Sequence, residues 1–108
     1  MVATFWLACA VVATLSLLPV NELPSITLDI WDKAQHATGF FGLGLLGLWA
    51  YPRHFARVCF GLLLFGALIE VAQAASGWRT GDVLDWLADS VGLALAVAAV
   101  KLTPRAQV

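Results

Sequence analysis

Residues 58–100 read VCFGLLLFGALIEVAQAASGWRTGDVLDWLADSVGLALAVAAV, and the fold is decided there. Two apolar runs flank a short glycine-bounded turn, Gly77-Trp78-Arg79-Thr80-Gly81. Each run approaches the roughly 20 residues that carry a helix across a hydrocarbon core. The charged and amide exceptions are few: Glu70 and Gln73 in the first run, Asp85 and Asp89 in the second.

Upstream lie two further apolar runs. Residues 1–20 carry no charge, and 33–51 are apolar apart from Lys33, Gln35, His36 and Thr38. Pro19, Asn21, Glu22 and Pro24 break the chain between them, so the stretch to Trp31 is expected to be a polar loop. A basic link, residues 52–57, joins the second run to the third. The expectation is an all-α polytopic membrane protein, a single domain over 1–108 and a bundle of four transmembrane helices at about 2–20, 33–51, 58–76 and 83–100. The first run lacks the basic start and small-residue cleavage site of a signal peptide, and Trp6 fits a lipoprotein site at Cys9 poorly.

Composition agrees. Hydrophobic residues are 61% and charged residues 12% of the 108, and mean hydropathy is +0.87. A soluble domain carries about a quarter charged residues, and so small a chain has too much surface to hide this much apolar area within itself. The basic clusters are too small for nucleic-acid binding. Cys9 and Cys59 have neither CxxC nor Cys/His spacing, so no disulfide framework or zinc site is indicated.

Charge placement sets the orientation. Arg53 and Arg57 in the second link share a side with Lys101 and Arg105 in the tail, which the positive-inside rule makes cytoplasmic, together with both termini. All seven acids, Glu22, Asp29, Asp32, Glu70, Asp82, Asp85 and Asp89, fall in the opposite half, with Trp31, Trp78 and Trp86 as an interfacial belt.

An ionisable side chain at a membrane helix centre costs about 2.5–3.5 kcal/mol on insertion scales, and such groups face a protein interior or a wet cavity. Glu70 and Gln73 share a helix face with Gly66 and Gly77, while Asp82, Asp85, Asp89 and Gly92 form another stripe. Asp32 and His36 lie four apart at the mouth of the second helix, beside Lys33. Asp89 stands about 10 Å below Asp82 at helical rise. Three helices are thus expected to line a polar funnel with Arg79 over its rim, and Ala88, Gly92 and Ala96 to let the fourth helix pack closely. Purely structural roles stay open: Asp82 as an N-cap, Glu70 and Gln73 as interhelical glue, His54 as a solvated loop residue. The glycines of residues 39–44 read as packing contacts, because no strand precedes them as a phosphate-binding loop requires.

Residues 31–44, WDKAQHATGFFGLG, and 69–92, IEVAQAASGWRTGDVLDWLADSVG, together resemble the VanZ-like family. That family pairs a Lys and a His at a helix start with a later E-x-x-Q, then Arg, Asp, Asp, Asn and Gly. Lys33, His36, Glu70, Gln73, Arg79, Asp82, Asp85 and Gly92 match in order. Asp89 stands where the family has Asn, adding a carboxylate, and Phe40 and Phe41 stand where a Tyr is common. The resemblance implies a multi-pass protein of the bacterial inner membrane, in a family whose founding member is linked to teicoplanin resistance.

Under that reading the chain acts on or binds lipid-linked envelope components, or a glycopeptide, at a periplasm-facing pocket. The catalytic candidates are His36, Glu70, Arg79 and Asp85, with His36 and Glu70 in acid–base roles and Arg79 holding a phosphate or carboxylate. Lys33, Gln73, Asp82 and Asp89 are substrate-binding candidates. No cofactor is expected. A divalent metal on Glu70, Asp85 and Asp89 suits hard oxygen ligands, but His36 alone offers too little nitrogen for zinc, and no metal is assigned. No Ser or Cys sits beside a suitable base. The competing class is a non-catalytic assembly or antibiotic-interaction protein whose polar cluster is structural. Four short helices favour a homo-oligomer under either, and the lack of a polar relay in the inner half weighs against an ion pathway.

Overall fold

The structure, a computed structural model, describes residues 1–17, 29–77 and 83–102, and the side chains of all of these but 29–32. It is all-helical: α1 (Val2–Leu17), α2 (Asp29–Ala50), α3 (Phe55–Ser76) and α4 (Val83–Leu102). The bundle is elongated, 46 × 24 × 21 Å. Among the described residues, α3 and α4 are long and apolar enough to cross a membrane. The apolar α1 is shorter, and α2 has the length but is less apolar.

Several boundaries differ from expectation. Helix α2 begins at Asp29, so residues 29–31 continue the helix where a loop is expected; after Pro24 no glycine or proline stops the helix from propagating upstream of Lys33. Helix α3 starts at Phe55 instead of 58, taking Ala56 and Arg57 into its first turn and shortening the link to Tyr51–His54. Helix α4 runs on to Leu102, placing Lys101 in its last turn, where a cation complements the helix dipole. Residues 18–20 of the expected first span lie outside the described residues. Gly77 closes α3 in the left-handed conformation, φ 83°, which costs a glycine nothing.

Helices α3 and α4 turn apolar side chains outward and bury polar ones inside, beside Val58, Leu62, Ile69, Leu93 and Ala96. On α3, Phe60, Leu64, Leu68 and Val71 form one exposed stripe; on α4, Leu84, Leu87, Val91 and Leu95 form another. Only 22% and 28% of their apolar windows is buried within the protein, whereas the core helix of a soluble protein is mostly buried. The buried faces carry Glu70, Gln73, Asp85 and Asp89. Water selects polar groups on the outside; an apolar exterior around buried ionisable groups suits a lipid solvent.

Helix α2 is the hub. It packs most extensively on α4 and also touches α1 and α3. Phe40, Leu43, Gly44, Gly47 and Leu48 form its inward stripe at the helical period. Gly92 brings the α4 backbone against that of α2 so closely that a Cβ there would overlap the Ala37 carbonyl. Ala96, fully buried, faces Gly44 one turn further on. Gly92 and Ala96 thus make the close contacts expected of them, whereas Ala88 is half-buried. Of the residue 39–44 glycines only Gly44 packs this way, since a Cβ at Gly39 or Gly42 would meet nothing within 4 Å.

At the end holding Met1, the 51–54 link and Lys101, aromatic residues tie the helices together. Trp6 Nε1 donates to Tyr51 Oη at 2.8 Å, Phe5 meets both rings edge-on, and Lys101 Nζ lies 5.1 Å from the centre of the Phe55 ring. Of the expected tryptophan belt, Trp78 and the side chain of Trp31 lie outside the described residues. Its one described member, Trp86, donates its indole N–H to the Leu63 carbonyl of α3 at 2.9 Å, so it serves as an interhelical link.

Candidate functional site

Lys33 and His36 are one turn apart on α2, and Asp85 and Asp89 one turn apart on α4, so close packing of the two helices sets the pairs face to face. Lys33 Nζ donates to Asp85 Oδ1 at 3.0 Å. His36 Nδ1 lies 2.8 Å from Asp89 Oδ1, and its Nε2 lies 3.7 Å from Asp85 Oδ2. The imidazole is therefore clasped between two carboxylates of one helix. Side-chain exposure falls steadily inward: 33% at Lys33, 12% at His36, 8% at Asp85 and 2% at Asp89. Polar groups descend from the mouth of the helices into the bundle.

Helix α3 adds Glu70. One ligating atom each from His36, Glu70 and Asp89 lie within 4.8 Å of one another. One turn deeper, Gly66 leaves the space that Asp89 occupies; a Cβ there would stand 3.0 Å from Asp89 Oδ2 and 3.3 Å from the Phe40 ring. Phe40, buried and 6.0 Å from Phe65 between ring centres, floors the cluster with hydrocarbon. The position where a tyrosine is common in the VanZ-like pattern thus belongs to the apolar floor.

Gln73 points elsewhere. Its Nε2 donates at 2.7 Å to the Ser16 carbonyl, one of the last carbonyls of α1, which lack helical partners. This ties α3 to α1, while Gln73 Oε1, also buried, accepts no hydrogen bond from the described residues. Ser76 and Ser90 donate to carbonyls of their own helices, those of Gln73 and Trp86. Arg79 and Asp82, expected at the rim, lie outside the described residues, as does the side chain of Asp32. His54 is exposed and makes no side-chain cap.

Electrostatically the described cluster is unbalanced. Three carboxylates, Glu70, Asp85 and Asp89, stand against one ammonium, Lys33, and one imidazole, His36. With every acid ionised, the excess is one negative charge if His36 is protonated and two if it is neutral. Away from water such an excess is costly and must be met by a proton, a partner cation or a bound ion. Chemically, an imidazole aligned by a carboxylate, with a second carboxylate within reach, is equipped to move a proton or to hold a cation.

Two shallow apolar grooves lie on outer helix faces, one along Ala10, Val11, Thr14 and Leu15, the other along Ala34, Gln35, Thr38 and Gly39. Neither is lined by the cluster. Sequence reasoning missed the Ser16 carbonyl as the partner of Gln73, the Trp86–Leu63 link and the Trp6–Tyr51 pair. Only the last had a usable signal, aromatics at positions 5, 6, 49 and 51 where two helices begin and end.

No protein-family model matches the chain, and comparison with curated proteins and with solved structures gives no match. The resemblance to the VanZ-like family rests on the residues quoted for it.

Proposed function

We propose that the chain is a four-span VanZ-like protein of the bacterial inner membrane, with both termini cytoplasmic. Its polar cluster receives the headgroup of a lipid-linked envelope component from the periplasmic side. One observation carries this reading: His36, Asp85, Asp89 and Glu70 meet at one end of a bundle whose outward faces are hydrocarbon. A lipid substrate diffuses in the membrane plane, and its polar head needs polar partners at the depth where the acyl chains end. Lys33, the most exposed member of the cluster, stands where an anionic headgroup would arrive. The cations at Arg53, Arg57 and Lys101, all exposed at the opposite end, support a cytoplasmic placement of that end.

In the catalytic form of this reading, His36 and Glu70 exchange a proton with the headgroup. A link to glycopeptide susceptibility follows if the component handled is a cell-wall precursor. The second reading, a structural cluster in an assembly protein, is favoured by the pairing of Lys33 with Asp85 and of His36 with Asp89.

The two separate in one experiment. Purified protein in lipid nanodiscs is titrated with undecaprenyl phosphate and, separately, phosphatidylglycerol, for the natural chain and for His36→Asn and Glu70→Gln. Saturable binding of the isoprenoid phosphate, weakened at least tenfold in folded variants, supports the proposal. Equal binding of both lipids, or no effect of the substitutions, refutes it.

A further inference from the structure

We infer that Arg53, Arg57 and Lys101 form a binding surface for a two-phosphate glycerolipid of the cardiolipin class, at the end of the bundle opposite the polar cluster. The inference rests on the membrane reading of the chain, but not on what the polar cluster does.

The described cations divide into two kinds. Lys33, at the cluster end, is ion-paired with Asp85. Arg53, Arg57 and Lys101 are exposed, and none of them forms an ion pair with a described residue. The acids whose side chains are described lie far off: Glu70 is about 20 Å along α3 from Arg57, and Asp89 about 18 Å along α4 from Lys101, at helical rise. Three positive charges therefore stand at one end with no described carboxylate beside them.

The fold draws these cations together. Arg53 and Arg57 flank Phe55 at the start of α3, and Lys101 Nζ, from the last turn of α4, stands 5.1 Å from the centre of the Phe55 ring. Each helix also continues from its cation into an outward apolar stripe. On α3, Arg57 is followed at intervals of three and four by exposed Phe60 and Leu64. On α4, exposed Ala94 and Ala98 lead at the same helical spacing to Lys101. Gly61 leaves open space beside Phe60, since a Cβ there would meet nothing within 4 Å. A cation at the head of a hydrocarbon stripe complements an amphiphile whose phosphate lies at the interface and whose chains run down the helix.

The distribution of charge selects the headgroup. The arginines and the lysine arrive on different elements, so a lone phosphate engages one or the other. Two phosphates joined through one glycerol engage both, the second at the high effective concentration that a short tether gives. Arginine forks hold phosphate oxygens bidentately and lysine adds a compact charge. Nucleic acids and acidic peptides share the negative charge but bring no acyl chains to cover Phe60 and Leu64.

The full chain in neutral detergent micelles is titrated with cardiolipin, phosphatidylglycerol and inorganic phosphate, and bound lipid is counted by native mass spectrometry. Expected is a single retained cardiolipin, held at least tenfold more tightly than phosphatidylglycerol and not displaced by inorganic phosphate. Binding should weaken at least tenfold in the double variant Arg53→Gln, Arg57→Gln and in Lys101→Gln, while Lys101→Arg and His36→Asn retain it. The substituted side chains at 53, 57 and 101 are exposed, so these variants should fold, and Lys101→Arg separates loss of charge from loss of shape. Equal affinity for the two lipids, displacement by inorganic phosphate, or loss of binding in His36→Asn overturns the inference. Cardiolipin binding that survives the glutamine substitutions also overturns it and leaves the proposed function standing. Isoprenoid phosphate binding that ignores His36→Asn and Glu70→Gln, beside cardiolipin binding that follows the arginines and Lys101, removes the proposed function and upholds this surface.

Discussion

His36 Nδ1 and Asp89 Oδ1 meet at 2.8 Å between α2 and α4, with Asp89 almost wholly buried. A carboxylate at that depth holds its charge only through such a partner, and an imidazole so held has a fixed ring orientation. Removing one member takes from the other a partner at 2.8 Å. Replacing His36 by Leu, or Asp89 by Leu, is expected to cost about 3–5 kcal/mol, as breaking a buried pair generally does. The double replacement should cost clearly less than the sum, because both members of the pair are then gone. Thermal or denaturant unfolding in detergent for the four-member cycle measures this; additive losses would mean the contact contributes no coupling.

The Gly92–Ala37 approach sets a steric limit. Gly92→Ala should destabilise by at least the roughly 1–3 kcal/mol typical of overpacking, and Gly92→Leu should separate α2 from α4. Gly39→Ala is the control. Its Cβ would meet nothing within 4 Å, so it should be neutral or add up to about 1 kcal/mol of helix stability. Melting temperatures of the three variants decide the matter.

Gln73 holds α1 through the Ser16 carbonyl. Gln73→Leu removes that donor and should cost about 1–2 kcal/mol. The loss should be local: amide exchange should accelerate in the last turn of α1, while residues 83–102 stay protected. Exchange mapped by mass spectrometry tests it, and uniform acceleration would contradict a local role.

Orientation is testable without function. In a chain whose Cys9 and Cys59 are replaced by Ala, a cysteine introduced for exposed His54 should react with a membrane-impermeant maleimide in inside-out vesicles only. Labelling from the periplasmic side would reverse the topology.

The sequence conveyed the helices because charge-free runs have one economical explanation, and the polar stripes because residues three and four apart share a helix face. Asp85, Asp89 and Gly92 are buried along one face of α4, as their spacing implies. The partners of each polar atom were not legible. The donation of Gln73 to Ser16 crosses 57 residues, and no local pattern encodes which helix a glutamine faces. The helix starts shifted for a related reason: exposed polar residues such as Arg57 cost a helix end nothing, so hydropathy marks the apolar span and not the helix. Phe40 became a floor instead of a missing hydroxyl once Gly66 was placed across from it.

The backbone contact at Gly92 also divides the cluster mechanically. His36 and Asp89 ride on two helices whose main chains touch, so their separation is as stiff as the bundle allows. Glu70 arrives on α3, which packs on α2 and α4 much less extensively than those two pack on each other. The arrangement is that of a vice with one fixed jaw and one sliding jaw, and a small tilt of α3 is the least costly way to widen or narrow the gap.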